Sequence, residues 1–297
     1  MRKNLVNFSI VLALFFLIMA CVCKSDRDSG SSSDPSGTPE IRQKTSNTST
    51  SDPTSNGDPS SKKKDEGDFK AEHIDVTSSK YSEIDRQVRQ ERLLEKAADG
   101  LNRALILPRD ITLRTKECNE VNAFYNPDDN SVTVCYELME HFFKVFKAGG
   151  SSDDVAYHKM FDAIRFVFLH ELGHALIDQY KLPIMGNEED AADRCSAYIN
   201  LTELGDEGVK AVFAAADAFA IESKLSAGKD KNMADEHLLS EQRFYNSLCM
   251  LYGSDTTKYE NIVAQGYLPK ERAVRCETEY QKNVSSWVSL LAPWRKR

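Results

Sequence analysis

Histidine is scarce in this chain, 6 among 297 residues, and tryptophan scarcer still, at 2. Long apolar runs are missing: the stretch from Ile10 to Ala20 is too short to cross a bilayer, which takes about 20 residues. Positive charge is in deficit, with a formal net charge of -8 and a pI near 5.4. The cations are scattered rather than striped, which argues against a nucleic-acid partner, and the terminal Arg295 to Arg297 reads as a solvated tail. No internal repeat is visible. Between Lys24 and Asp68 apolar side chains are nearly absent, Ile41 being the only large aliphatic before Phe69. Such a segment cannot bury enough surface to offset its chain entropy, so residues 21–68 are expected to form a disordered Ser/Thr/Pro/Asp-rich tether ending in the solvated run "SKKKDEGD".

What precedes the tether reads as an export signal, with Arg2 and Lys3 ahead of the apolar run. The run ends on Ile18, Met19, Ala20 and Cys21, which resembles the lipobox of bacterial lipoproteins, although Met19 is bulkier than the residue usual there. The resemblance implies a signal peptide over 1–20, cleavage before Cys21, and a lipid on that cysteine. The alternative is an uncleaved anchor with Cys21 and Cys23 inert. Either way the expectation is an exported protein held at a bacterial membrane, facing the periplasm or the surface.

The remainder, 69–297, is long enough for one substantial domain or two small ones. Its five cysteines enter a compartment where disulfides persist. Sequence does not fix their connectivity. Cys118 and Cys135 flank a hairpin-like stretch, and Cys249 and Cys276 sit on consecutive helical segments, so those two pairs are expected. Cys195, on the apolar side of a helix, would be a buried free thiol.

A helix is expected over Ser82 to Ala104, and "RDITLRTKEC" alternates like a strand. Asn122 to Tyr125 and Ser131 to Tyr136 are β-rich runs separated by Asn126, Pro127, Asp128, Asp129 and Asn130, a hairpin signal. From Asp153 the period becomes helical: Val155 to Tyr180, Glu188 to Leu204, Glu207 to Leu225, Ala234 to Tyr252 and Glu271 to Leu291. The fold class is therefore α+β, a small sheet followed by a mainly helical body.

Against so few histidines, "FLHELGHALIDQY" stands out. His170 and His174 lie one helical turn apart, so both imidazoles project from one face and can share a metal ion. Glu171 is rotated by about 100°, which sets its carboxylate beside the open coordination position, where a general base takes a proton from a water on the metal. The flanking "FVFL" and "ALI" bury this helix, where unpaired polar groups would be costly, and Gly173 suggests close approach by a neighbouring backbone. A catalytic zinc needs a third protein ligand. "NEEDAADRCSAY" supplies Glu188, Glu189, Asp190 and Asp193, of which Glu189 and Asp193 stand one turn apart. One can bind the metal while the other holds a ligand histidine.

HExxH with a downstream ExxxD resembles the gluzincin group of zinc metallopeptidases. The resemblance implies Glu189 as third ligand and Asp193 as orienter of a histidine. The spacing from His174 is shorter than in many gluzincins, which leaves Glu188 and Asp190 as alternatives. More narrowly, "ECNEVNAFYNPDDNSVTVCYEL", "HELGHALIDQYKLPIMGNEEDAAD" and "DEHLLSEQRFYNSLCMLYG" resemble a bacterial metallopeptidase family of unknown function, from about Cys118 to the C-terminus. It implies a zincin-like fold, one Zn2+ per chain and a peptide or protein substrate. In zincins the strand before the active helix edges the cleft and pairs with extended substrate. Ser131 to Tyr136 is the candidate. For oxyanion stabilisation or proton delivery the candidate is His237, with Arg243 and Tyr245 as alternatives; the plainer reading pairs Arg243 with an acidic neighbour and packs Tyr245 in the core. The competing functional reading is a catalytically silent surface lipoprotein that keeps the fold as a binding module.

Overall fold

Charge interrupts the first helical stripe, and the chain bends where it does. The computed structural model describes residues 63–228, 230 and 236–296. The expected signal peptide, Cys21, Cys23, most of the expected tether and positions 234 and 235 of an expected helix lie outside these residues. Strand β1 (Phe69–His73) is followed by α1 (Ser82–Gln90) and α2 (Leu93–Ala104) in place of one helix over 82–104. Three and four residues beyond buried Val88 the stripe meets Glu91 and Arg92, both charged. Arg92 takes a left-handed conformation (φ 53°), and the restarted helix turns Leu94 and Ala98 into the core.

Strands β2 (Ile111–Lys116), β3 (Ala123–Asn126) and β4 (Ser131–Cys135) complete a sheet of order β1-β2-β4-β3. β1 and β4 run parallel to β2, and β3 pairs antiparallel to β4, Tyr125 opposite Val132. The hairpin is therefore present. However, Ser131 to Tyr136 does not edge the sheet: β4 is interior, buried at every position, and the edges are β1 and β3. A strand flanked on both sides has no amide left for a ligand, so Ser131–Cys135 is not the strand that could pair with one.

β4 runs without a turn into α3 (Tyr136–Ala148), whose N-cap is Cys135 itself. Met139, Phe142, Val145 and Phe146 make its buried face. The helical body is α4 (Asp153–Tyr180), α5 (Glu188–Glu203), α6 (Gly205–Leu225), α7 (Ser240–Ser254), the short α8 (Glu260–Ala264) and α9 (Lys270–Ala273), and α10 (Cys276–Leu291). The single helix expected over Glu271 to Leu291 is thus two pieces.

α4 is the axis of the molecule. Its N-terminal half packs Ala156, Met160 and Ala163 against α3 and α6, and its C-terminal half packs Leu172, Leu176 and Tyr180 against Ile111, Leu113 and Val132 of the sheet. A helix covered on all sides is apolar on all sides, which makes any polar group on it conspicuous. Cys118 and Cys135 form one disulfide and Cys249 and Cys276 another, while Cys195 is a buried free thiol. The fold begins slightly before Phe69: the Glu66 and Gly67 amides donate to the Leu107 carbonyl, and Lys296 pairs with Asp65.

Candidate metal centre

Gly173 lets α5 lie against α4. A Cβ built there would stand 3.1 Å from both the Ala192 Cα and the Cys195 Cβ. Close approach of a backbone is what the glycine had suggested. It carries the first turn of α5 over the two imidazoles. Asn187 caps that helix, its side-chain oxygen accepting from the amides of Glu189 (2.7 Å) and Asp190 (3.4 Å). The Asn187 side chain also donates to the Glu236 carbonyl at 2.8 Å, which draws the next residue, His237, to the same place.

The Nε2 atoms of His170 and His174 lie 3.2 Å apart. Glu189 sets Oε2 at 3.0 Å from His170 Nε2 and Oε1 at 3.4 Å from His174 Nε2. Ligands about 2.0–2.1 Å from a tetrahedral zinc lie about 3.3 Å from one another, and the two Nε2 atoms meet that spacing; the Glu189 carboxylate turns a different oxygen to each, and one ligand atom from each of the three residues lies within 4.8 Å of the others. The fit extends outward. His170 Nδ1 donates to Asp193 Oδ1 and His174 Nδ1 faces Glu188 Oε1, both at 2.8 Å. With each Nδ1 held by a carboxylate, both Nε2 atoms are left for a shared metal ion. Asp190 turns away to Arg194 (2.7 Å) and is not among the converging groups.

Arg243, on α7, grips Asp193 with two hydrogen bonds of 2.8 and 2.7 Å and stacks over Phe219 at 4.3 Å. Its pairing with an acidic residue is therefore its visible role. Tyr245 is 39 % exposed and does not pack in the core. His237 Nε2 lies 3.0 Å from Glu189 Oε2, and its ring stacks at 6.0 Å on that of His170. Glu171 is buried, and one oxygen accepts from the Tyr125 amide of edge strand β3 at 2.9 Å.

Burial disfavours charge on His170, but the hydrogen bonds to Asp193 and Glu189 outweigh it and push its pKa up to about 9. Burial would raise the Glu189 carboxyl, and three surrounding imidazoles hold it far below the usual range instead. Asp193 is likewise held low against burial, by Arg243 and His170. Burial raises Glu171, only partly opposed by the two histidines. The centre thus holds its carboxylates ionised and gathers positive charge, which a dication would supply in place of protons.

Two measurements follow. Since a ligand imidazole must be neutral, metal uptake at pH 7 displaces a proton from His170. Zinc affinity should rise with pH until about 9, where His170 is neutral without help, and level off above it; calorimetry in buffers of different ionisation enthalpy counts the proton. Gly173→Val should force α5 off α4, costing on the order of 1–3 kcal/mol by overpacking, and should abolish tight zinc binding, as read by thermal unfolding and metal analysis.

Among the sequence-named residues, the structure brings together His170, Glu171, His174, Glu188, Glu189, Asp193, His237 and Arg243. The backbone amide of Tyr125 and the hold of Glu188 on His174 were not read from sequence; no spacing signal points to either.

Fold and site define an α+β protein with a candidate two-histidine, one-glutamate metal centre on adjoining helices. Residues 73–291 match the model of a family described as "Putative metallopeptidase", and the chain belongs to that family. No curated protein and no solved structure gave a significant match.

Proposed function

We propose that this protein is a zinc-dependent peptidase of zincin-like fold, acting outside the cytoplasm from a lipid on Cys21. The observation that carries the reading is the convergence of His170, His174 and Glu189, one ligand atom from each within 4.8 Å of the others, beside a buried Glu171. Zinc held there would supply Lewis acidity, polarising a carbonyl and acidifying a water. Glu171 is the residue that would take the proton. Its oxygen is aimed by the Tyr125 amide, and burial raises its pKa toward the range in which a carboxylate both accepts and returns a proton. His237, exposed beside Glu189, is placed to donate to the oxyanion or to the leaving amine. Asp193, kept ionised by Arg243, holds the tautomer of His170.

Substrate alignment falls to β3. The Asn122 carbonyl accepts from Cys135 of the sheet, whereas the Tyr125 amide points outward to Glu171. Alternation along an antiparallel strand therefore turns the amide and carbonyl of Ala123 and the carbonyl of Tyr125 to the open side. An extended peptide would pair with these groups and lay its scissile bond across Glu171. The two disulfides support an oxidising compartment. Incubating the full chain with a peptide library, with and without chelator, tests the activity. Metal-dependent cleavage is expected, and saturable binding without turnover would favour the silent binding module.

A further inference from the structure

α5 has a second face. About 200° and 140° around the helix from Glu189, Ala191 and Arg194 look away from the imidazoles into a cavity of 930 Å³ between α5, the 181–187 connection and α10. Its floor is apolar, built from Ile184, Ala191, Leu290 and a Trp287 that is 3 % exposed. Arg194, Arg272, Arg275 and Lys282 line it, against the single carboxylate of Glu279. In a chain of net charge -8 this reverses the local sign. Arg272 is fixed by Glu279 at 2.7 and 2.8 Å and Arg194 by Asp190 at 2.7 Å, while Arg275 comes no nearer than 4.0 Å to Glu279, and its side chain is 67 % exposed.

A second cavity, of 320 Å³, shares Arg272 as a wall and continues past Pro269 and Tyr245 to Leu238. Leu238 follows His237, the histidine on Glu189. Through Arg272 the two cavities adjoin as one track, lined at one end by Leu238, next to His237, and at the other by Met185, which stands 96 % exposed. We propose that this track is an exosite that docks an extended acidic segment of a polypeptide, apolar side chains on the Ile184–Trp287–Leu290 floor and carboxylates on Arg275 and Lys282. The occupant follows from charge and shape. The cations call for an anion, and the apolar floor lies recessed in a concavity that a planar headgroup layer cannot fill. The site uses none of the metal-centre residues, so it stands or falls separately from the peptidase reading.

The test is fluorescence anisotropy of the full chain with a labelled twelve-residue probe alternating Glu or Asp with Leu or Phe, beside the same probe carrying Gln and Asn. The acidic probe should bind saturably, at least tenfold more tightly than the neutral one, and weaken as salt rises. The double variant Arg275→Glu, Lys282→Glu should weaken it at least tenfold more with zinc content unchanged. Met185→Glu, at a fully solvated position, should weaken it independently of how the double variant folds. Equal binding of both probes, no binding, or binding indifferent to these variants overturns the proposal. So does co-sedimentation with phosphatidylglycerol vesicles that needs Arg275 and Lys282 while the peptide does not bind.

Discussion

Replacing Glu171 by Gln is expected to leave one zinc per chain in place and to slow metal-dependent peptide hydrolysis by about a thousandfold, within the 10²–10⁴ that a positioned general base contributes. The change is nearly isosteric. An amide oxygen can still accept from the Tyr125 amide, which now reaches a Glu171 oxygen at 2.9 Å, so the orientation of the side chain survives. What is lost is the capacity to take a proton. The candidate ligand atoms are untouched, because among the described residues the group that converges there is His170, His174 and Glu189. Metal content by mass spectrometry, run beside turnover of a cleaved peptide, separates the two properties. Zinc retained with activity lost is the expected pair. Undiminished turnover would remove Glu171 from the chemistry.

Arg243→Met is expected to cost about 3 kcal/mol, the low end for breaking a buried ion pair, because the half-buried Asp193 carboxylate keeps only His170 as a partner. Two hydrogen bonds of 2.7 and 2.8 Å would go, together with the guanidinium that holds Asp193 ionised. For a domain of this size that corresponds to a fall in Tm on the order of 10 °C. Adding Asp193→Asn removes the stranded charge and should return much of the lost stability. It should not return metal affinity, since a neutral amide on His170 Nδ1 makes that imidazole a weaker ligand, by about 10–100-fold. Thermal unfolding and zinc titration of the single and double variants give the two readouts. If the single variant unfolds with the parent, the ion pair is ornamental.

The local parts of this centre were legible because one covalent helix fixes their spacing. His170, Glu171 and His174 needed only the helical repeat, and Gly173 announced the neighbouring backbone that proves to be Ala192 and Cys195. The hairpin could be read from its turn residues, and both disulfides from the elements that carry the cysteines. What failed is non-local or unpunctuated. No turn residue separates β4 from α3, so Tyr136 was read into the strand when it opens the helix. The edge of the sheet went to the wrong strand because β4 is sandwiched by β2, from earlier in the chain, and a pairing of that kind leaves no periodic trace. Arg243 reaches Asp193 across 50 residues, and sequence offered it only an unnamed acidic partner. Glu188 is offered by the sequence only as an alternative metal ligand, whereas its carboxylate holds the second imidazole.

Zinc stoichiometry measured on the full chain, beside His170→Ala, bears most directly on the whole reading. One zinc per chain, lost on that substitution, is the result expected if the candidate centre on α4 and α5 is a metal site. A native chain that stays metal-free after equilibration with zinc would contradict it and leave His170, His174 and Glu189 as a buried hydrogen-bonded cluster.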